Sequence, residues 1–323
     1  MKHNPKITFV LLAMFIASQL IGIYVVSYYS PVRVVDGNVI DVPAPSLPFG
    51  LETPQVERQS QYQELFIGII IAFILAILIF LFLTKFKVEF VLKLWFFIVV
   101  VIALSISFLS ILSSLKYAFL ISFVIAFALA AVKIYGRNFL VHNATELFIY
   151  PGIAAVFVPL LNVWTIIALL ILISIYDAWA VWHSGIMQKM AKYQINKLKI
   201  FSGFFVPYFA KGVKHKIENW KKTLTKSQLK KKKIKVNVAI LGGGDVVFPI
   251  ITAGVMLKTG TLKLPFGLHP FVGGLWPAIF VIIGATLALA YLFFFSEKKK
   301  FYPAMPFITA GIFLGILVSY LVL

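Results

Sequence analysis

Nine continuous apolar runs dominate this sequence, each near the ~20 residues that an α-helix needs to cross a bilayer. They occupy residues 7–29, 65–83, 94–112, 117–135, 146–161, 163–183, 237–257, 271–295 and 303–323. None alternates apolar and polar residues in the ten-residue manner of an outer-membrane barrel. The expected fold is therefore all-α: a polytopic membrane protein with nine transmembrane helices. The fifth run is the shortest and carries Pro151, Gly152 and Pro159. The first lacks a small-residue cleavage site and is too long for a signal-peptide core, so it is expected to be retained. Composition agrees. The 323 residues are 61% hydrophobic and 13% charged, with a mean hydropathy of +0.97. Those values exclude an ordinary soluble domain and a disordered chain. The absence of cysteine removes disulfide scaffolds, thiolate metal sites and cysteine nucleophiles.

The formal charge of +19 comes from 30 Lys and Arg against 11 Asp and Glu. In a chain of this kind it is first a topology signal. With the N-terminus in the cytoplasm, 25 of the 30 basic residues fall on the cytoplasmic side. Lys2, Lys6, Lys85, Lys87, Lys93, Lys133, Arg137 and Lys298 to Lys300 are among them, with fifteen lysines in 184–236. Arg33, Arg58, Lys116, Lys258 and Lys263 stay outside. The bias places the N-terminus inside, the C-terminus outside and the protein in the cell membrane. Three regions follow: six spans in 1–183, a basic cytoplasmic loop in 184–236, and three spans in 237–323. Within the loop, Phe201 to Phe209 is an apolar island too short to span, expected to lie on the membrane interface. The Lys230–Lys235 run reads as a patch facing lipid headgroups. It has no aromatic interleaving, so nucleic acid is not an expected partner.

Ionisable groups inside spans are costly and mark function by default. Nine of the eleven acidic residues are assigned to loops or span ends, which leaves Asp177 in the sixth span and Asp245 in the seventh. At 1.5 Å per residue they sit roughly 9 and 12 Å from the cytoplasmic ends of their helices. Spans joined by one loop could bring them face to face. Two close carboxylates in a low dielectric cannot both ionise, so the pair would share a proton. One could then take a proton from water while the other protonates a carbonyl oxygen, as in aspartic proteases. Neither cofactor nor metal is needed. Intramembrane Asp residues also serve proton or sodium transport, so an ion transporter or leak channel is the alternative.

The surroundings discriminate. Gly242, Gly243 and Gly244 precede Asp245. They weaken a helix by about 1 kcal/mol each relative to Ala and let backbone approach the carboxylate. Pro303, Ala304, Met305 and Pro306 open the ninth span in the same half of the membrane. Backbone short of its usual hydrogen bonds is tolerated there only if it lines a cavity or is buried in protein. An extended substrate could pair with it by strand addition.

Tyr176-Asp177, Gly242-Gly243-Gly244-Asp245 and Pro303-Ala304-Met305-Pro306 resemble the Y-D, G-x-G-D and P-A-L motifs of the presenilin and signal peptide peptidase family. Their order, spacing and membrane side agree over essentially the whole chain. The resemblance implies hydrolysis of peptide bonds within transmembrane segments of other membrane proteins, with Asp177 and Asp245 as the catalytic pair. Tyr176 then resembles the motif tyrosine that lines the site, and the third motif a site-supporting, substrate-contacting segment. Gly243 stands where members often have Leu, which bears on substrate preference. Met305 replaces Leu, a volume-conserving swap. The orientation and Pro306 resemble presenilins, and the small size resembles microbial, especially archaeal, members. The orientation implies substrates with an outside N-terminus.

Other signals are weaker. His183-Ser184-Gly185 is not a convincing serine-protease element, and no H-E-x-x-H is present. Prepilin-type peptidases share a G-x-G-D-like element but differ in their other motifs. His3, His142, His215 and His269 are dispersed and expected in loops or at span ends. Asn143-Ala144-Thr145 reads as a glycosylation acceptor on the cytoplasmic side, where it is inert. The sequence leaves homo-oligomerisation and self-cleavage of the long loop open.

Overall fold

The computed structural model describes residues 5–30, 32–35, 38–41, 45–52, 56, 59–86, 89–136, 138–184, 200–208, 237–262, 269–296 and 302–322. Among these residues nine helices run in chain order: α1 Pro5–Tyr29, α2 Gln59–Lys85, α3 Glu89–Leu112, α4 Ala118–Tyr135, α5 Phe139–Phe157, α6 Val163–Trp179, α7 Gly243–Lys258, α8 Leu275–Phe295 and α9 Met305–Val322. Three antiparallel two-stranded pairs join them: β1 Val32–Val35 with β2 Asn38–Asp41, β3 Gly203–Tyr208 with β4 Asn237–Gly242, and β5 Thr261–Leu262 with β6 Phe271–Val272. Eight of the helices are long and apolar enough to cross a membrane. The exception, α7, has 16 residues.

That exception is a correction. The run over 237–257 is expected to be one helical span, but residues 237–242 form strand β4 and the helix begins at Gly243. The glycine run makes a helix costly at its N-terminal end, and β3 offers the backbone another partner. The register is continuous, from Gly203 opposite Gly242 to Tyr208 opposite Asn237. The apolar island is likewise not an isolated interfacial segment. Its residues 203–208 are β3, and Phe204 is fully buried in the core. The rest of the basic loop, residues 185–199 and 209–236, lies outside the described residues, as do Lys298 to Lys300.

The fifth span also starts earlier than expected, at Phe139 rather than 146. Asn138 caps it, its side chain accepting from the Leu140 N–H at 2.9 Å. His142, Asn143 and Glu146 therefore lie inside a helix and are buried, not in a loop. Their polarity is matched from neighbouring elements. Lys133 of α4 donates to Glu146 at 2.5 Å, and both side chains are almost fully buried. Truncating either partner alone would leave a buried charge unpaired, at a cost of about 3–5 kcal/mol.

The centre of the molecule is α7, which packs against α1, α5, α6, α8 and α9. Val246, Ile250, Ala253, Val255 and Met256 are fully buried there. Helices α8 and α9 approach closely at Gly284 and Gly311, where a side chain on either would strike the backbone of the other. Lipid gives helices no hydrophobic drive to associate, so small residues at the contact supply van der Waals packing.

Gly311→Val is expected to destabilise the protein by about 1–3 kcal/mol, the usual cost of overpacking. At Gly68, on α2, an added side-chain carbon would meet nothing within 4 Å, so Gly68→Ala should not destabilise. Equilibrium unfolding in mixed micelles would check both.

Candidate active site

The end of α6 meets the starts of α7 and α9. Helix α6 brings Asp177 on its buried face, in line with Ile166, Leu170 and Ile173. One turn earlier, Ser174 donates to the Thr309 hydroxyl of α9 at 2.8 Å, which ties the two helices together. After Trp179 the chain widens into a π-helical turn, Ala180–Ser184, a feature common at functional sites.

Asp177 faces the start of α9. Its Oδ2 accepts the backbone N–H of Met305, the first helical residue, at 3.1 Å, and the Ala304 N–H also points to this carboxylate. The first N–H groups of any helix lack intrahelical partners, and an anion there also meets the positive end of the helix dipole. The Pro-Ala-Met-Pro segment suits this arrangement. Ala304 and Met305 present their N–H groups, while Pro306, in the first turn, has none to leave unpaired.

Asp245 occupies the first turn of α7. Its expected depth, eight residues into a helix, is replaced by a position at the helix start. The side chain turns back toward the backbone N–H of Gly242, the N-cap residue, in the manner of a capping box. A side chain at Gly242 would stand 3.1 Å from Asp245 Oδ2. Asp245 lies within Coulombic reach of Asp177. The structure thus brings together the two acidic residues singled out from the sequence. Gly242 lies against Asp245, and Ala304 and Met305 lie against Asp177. Tyr176 takes a neighbouring face of α6, half-buried, with its ring 6.5 Å from Trp179.

The three glycines have different surroundings. A side-chain carbon at Gly243 would lie 2.9 Å from the Tyr150 hydroxyl and 2.8 Å from Ser202 Oγ. Tyr150 is buried and cannot retreat, which explains why this chain has glycine where a larger residue is the expectation. Gly244 is exposed, and a side chain there would meet only Phe248, at 3.8 Å. Space therefore lies open beside Asp245 on that face.

Several neighbours of the site lie outside the three motifs. Gln19 of α1 donates to the Val246 carbonyl at 3.0 Å, fixing the first turn of α7 from behind. Tyr150, beside Glu146 and Ser202, backs the glycine turn. Gln19 and Glu146 were detectable as polar residues within apolar helices. Tyr150 carried no such signal.

The sequence profile of a family described as signal-peptide peptidase, presenilin aspartyl protease matches residues 39–323. Among curated proteins none matches the chain. Two solved structures are similar in fold. Each is described as a presenilin family intramembrane aspartate protease, one in a C222 crystal form and one in a P2 form. The first is 19% identical with a TM-score of 0.56, covering 98% of this chain and 99% of that one. The second is 18% identical with a TM-score of 0.54, and each chain is covered completely.

Packing at Gly243 gives a direct test. Gly243→Ala is expected to destabilise by about 1–3 kcal/mol through overpacking against Tyr150. Tyr150→Leu makes room, so the double variant should be more stable than the sum of the single effects allows. Strict additivity in thermal unfolding would contradict the contact.

Proposed function

Because this chain belongs to the signal-peptide peptidase, presenilin aspartyl protease family, we propose that Asp177 and Asp245 are its catalytic pair. The protein is an intramembrane aspartyl protease, and its substrates on this reading are transmembrane helices of other proteins. The observation that carries the assignment is the meeting of two carboxylates from separate helices at the backbone N–H groups of α7 and α9. Family membership favours hydrolysis over the ion-transport alternative that two carboxylates alone leave open.

One carboxyl of the pair holds a proton and the other is ionised. The ionised one removes a proton from a water molecule as its oxygen attacks the scissile carbonyl carbon. The protonated one gives its proton to the carbonyl oxygen, and a neutral tetrahedral diol results. Collapse reverses the roles: one carboxylate recovers a proton from the diol, the leaving nitrogen is protonated, and the C–N bond breaks. Backbone N–H groups at Met305 and Gly242 orient the two carboxyls throughout. Tyr176, Pro303 and Pro306 support the site from its margins.

The substrate has to unwind to expose a peptide bond, and β4 offers it a partner. In an antiparallel pair, alternate residues direct their N–H and C=O to opposite sides. The Phe205 N–H and C=O bond to Asn143, away from β4. Its partner in register is Ile240, so Ile240, Val238 and Gly242 turn their backbone groups to the other edge of β4. Val238 and Ile240 are exposed, and no described strand pairs with that edge. A substrate strand added there would run straight to Asp245.

Nine spans follow if β4 and α7 together make one interrupted crossing. The excess of Lys and Arg supports a cytoplasmic N-terminus, an outside C-terminus and residence in the cell membrane.

The test uses the purified protein in lipid with a single-span substrate whose N-terminus faces outside. Asp177→Asn and Asp245→Asn should each abolish cleavage within the span, read by mass spectrometry of the fragments. Asn keeps an oxygen for the Met305 N–H, so Asp177→Asn should still fold. Intramembrane cleavage that survives in either variant would overturn the assignment.

A further inference from the structure

The edge of β3 facing away from β4 is held by α5 at Gly203 and Phe205. The Asn143 Nδ2 donates to the Phe205 carbonyl at 2.8 Å, and its Oδ1 accepts the Phe205 N–H at 3.0 Å. One side-chain amide thus satisfies both backbone groups of a strand residue, as a neighbouring strand would. Two residues back, on the same edge, the Gly203 carbonyl lies 2.8 Å from His142 Nε2. Two residues ahead, on the same edge, stands Pro207, which has no N–H to leave unpaired.

The histidine is itself oriented. A carbonyl can only accept, so Nε2 carries the hydrogen. The ammonium of Lys133 can only donate, and it lies 3.1 Å from His142 Nδ1, so Nδ1 accepts. Lys133 is held in turn by Glu146. The imidazole ring packs on Phe205 with centroids 4.7 Å apart. His142 and Asn143 are both buried, and neither acceptance of a proton nor contact with a reacting atom is needed for what they do.

We infer that His142 and Asn143, oriented by the buried Lys133–Glu146 pair, are positioning residues that lock the β3–β4 hairpin to α5 and thereby fix where a substrate is cut. This rests on the reading that substrate pairs along β4. The clamp has two consequences for that reading. It leaves β4 as the hairpin's one edge open to a strand among the described residues, so an unwound substrate cannot add at β3 in the wrong place. It also holds the hairpin in register with the Gly242–Asp245 turn before substrate arrives. A strand that slips by one residue reverses the direction of every backbone group along it. A loosened hairpin should therefore present a neighbouring peptide bond to the aspartates.

The test is again the full-length protein in lipid with a single-span substrate, read for both turnover and the mass of each fragment. Asn143→Asp is isosteric. It keeps an acceptor for the Phe205 N–H and sets an oxygen against the Phe205 carbonyl. His142→Leu removes the donor to Gly203, whereas His142→Gln restores one. Asn143→Asp and His142→Leu are expected to spread the cut over adjacent bonds and to lower kcat about tenfold, the scale of one buried hydrogen bond lost. His142→Gln should keep the wild-type fragments. Should Asn143→Asp fail to fold, the His142 pair decides the matter alone. Folded variants that retain both the wild-type fragments and the wild-type rate would overturn the inference. So would a His142→Gln variant as impaired as His142→Leu. Ile240→Pro tests the underlying reading separately, because it deletes an N–H on the open edge of β4 and no β3–β4 hydrogen bond. If Ile240→Pro cleaves normally, the substrate edge is wrong, whatever the clamp variants do.

Discussion

The hydrogen bond from the Met305 N–H to Asp177 joins the two requirements this protein has to meet at once. Lipid supplies no partner for the free backbone groups at a helix end, so a helix that begins inside the membrane must find acceptors in the protein. A carboxylate is equally costly there without donors. Placing Asp177 at the start of α9 answers both needs. The same solution recurs at α7, where Asp245 turns back to the N-cap glycine. A helix start and a shielded acid, each unfavourable alone, stabilise one another, and the result is two acids near each other.

Discontinuity at α7 has a further consequence. Because residues 237–242 are a strand rather than another turn and a half of helix, backbone groups face open space next to Asp245. On the proposed reading, this strand edge is part of an unwound structure ready for a substrate that has to give up its own helical hydrogen bonds to be cut. Tyr150, Gln19 and the α5 side chains hold that strand and its following turn from the sides opposite the opening. The exposed Gly244 keeps the approach to the acid free of side chains.

How much of this was legible in the sequence depended on contrast. Asp177 and Asp245 stood out because each interrupts a long apolar run, and the Gly and Pro motifs stood out by composition. The helical, polytopic character followed from run length alone. The polar segment from His142 to Glu146 misled, because its polarity suggests a loop when it is a set of buried groups satisfied by Lys133 and by the backbone of β3. The β3–β4 pair was hidden for a different reason. Its strands are separated by the long basic segment, and six apolar residues look alike whether they will be strand, helix or interfacial segment. Pairing partners that far apart leave no local signature.

The convergence of Asp177 and Asp245 is the point on which function turns, and a chain without cysteine allows it to be measured directly. Asp177→Cys with Asp245→Cys would be treated with a short bifunctional thiol-reactive reagent, a bis-methanethiosulfonate that expels methanesulfinate as it bonds to each thiolate, in native membranes. Ser174→Cys with Thr309→Cys, at an α6–α9 contact seen at 2.8 Å, serves as the positive control. Cross-linking of both pairs is the expected result. A control pair that links efficiently beside an Asp177–Asp245 pair that does not would contradict a shared catalytic site.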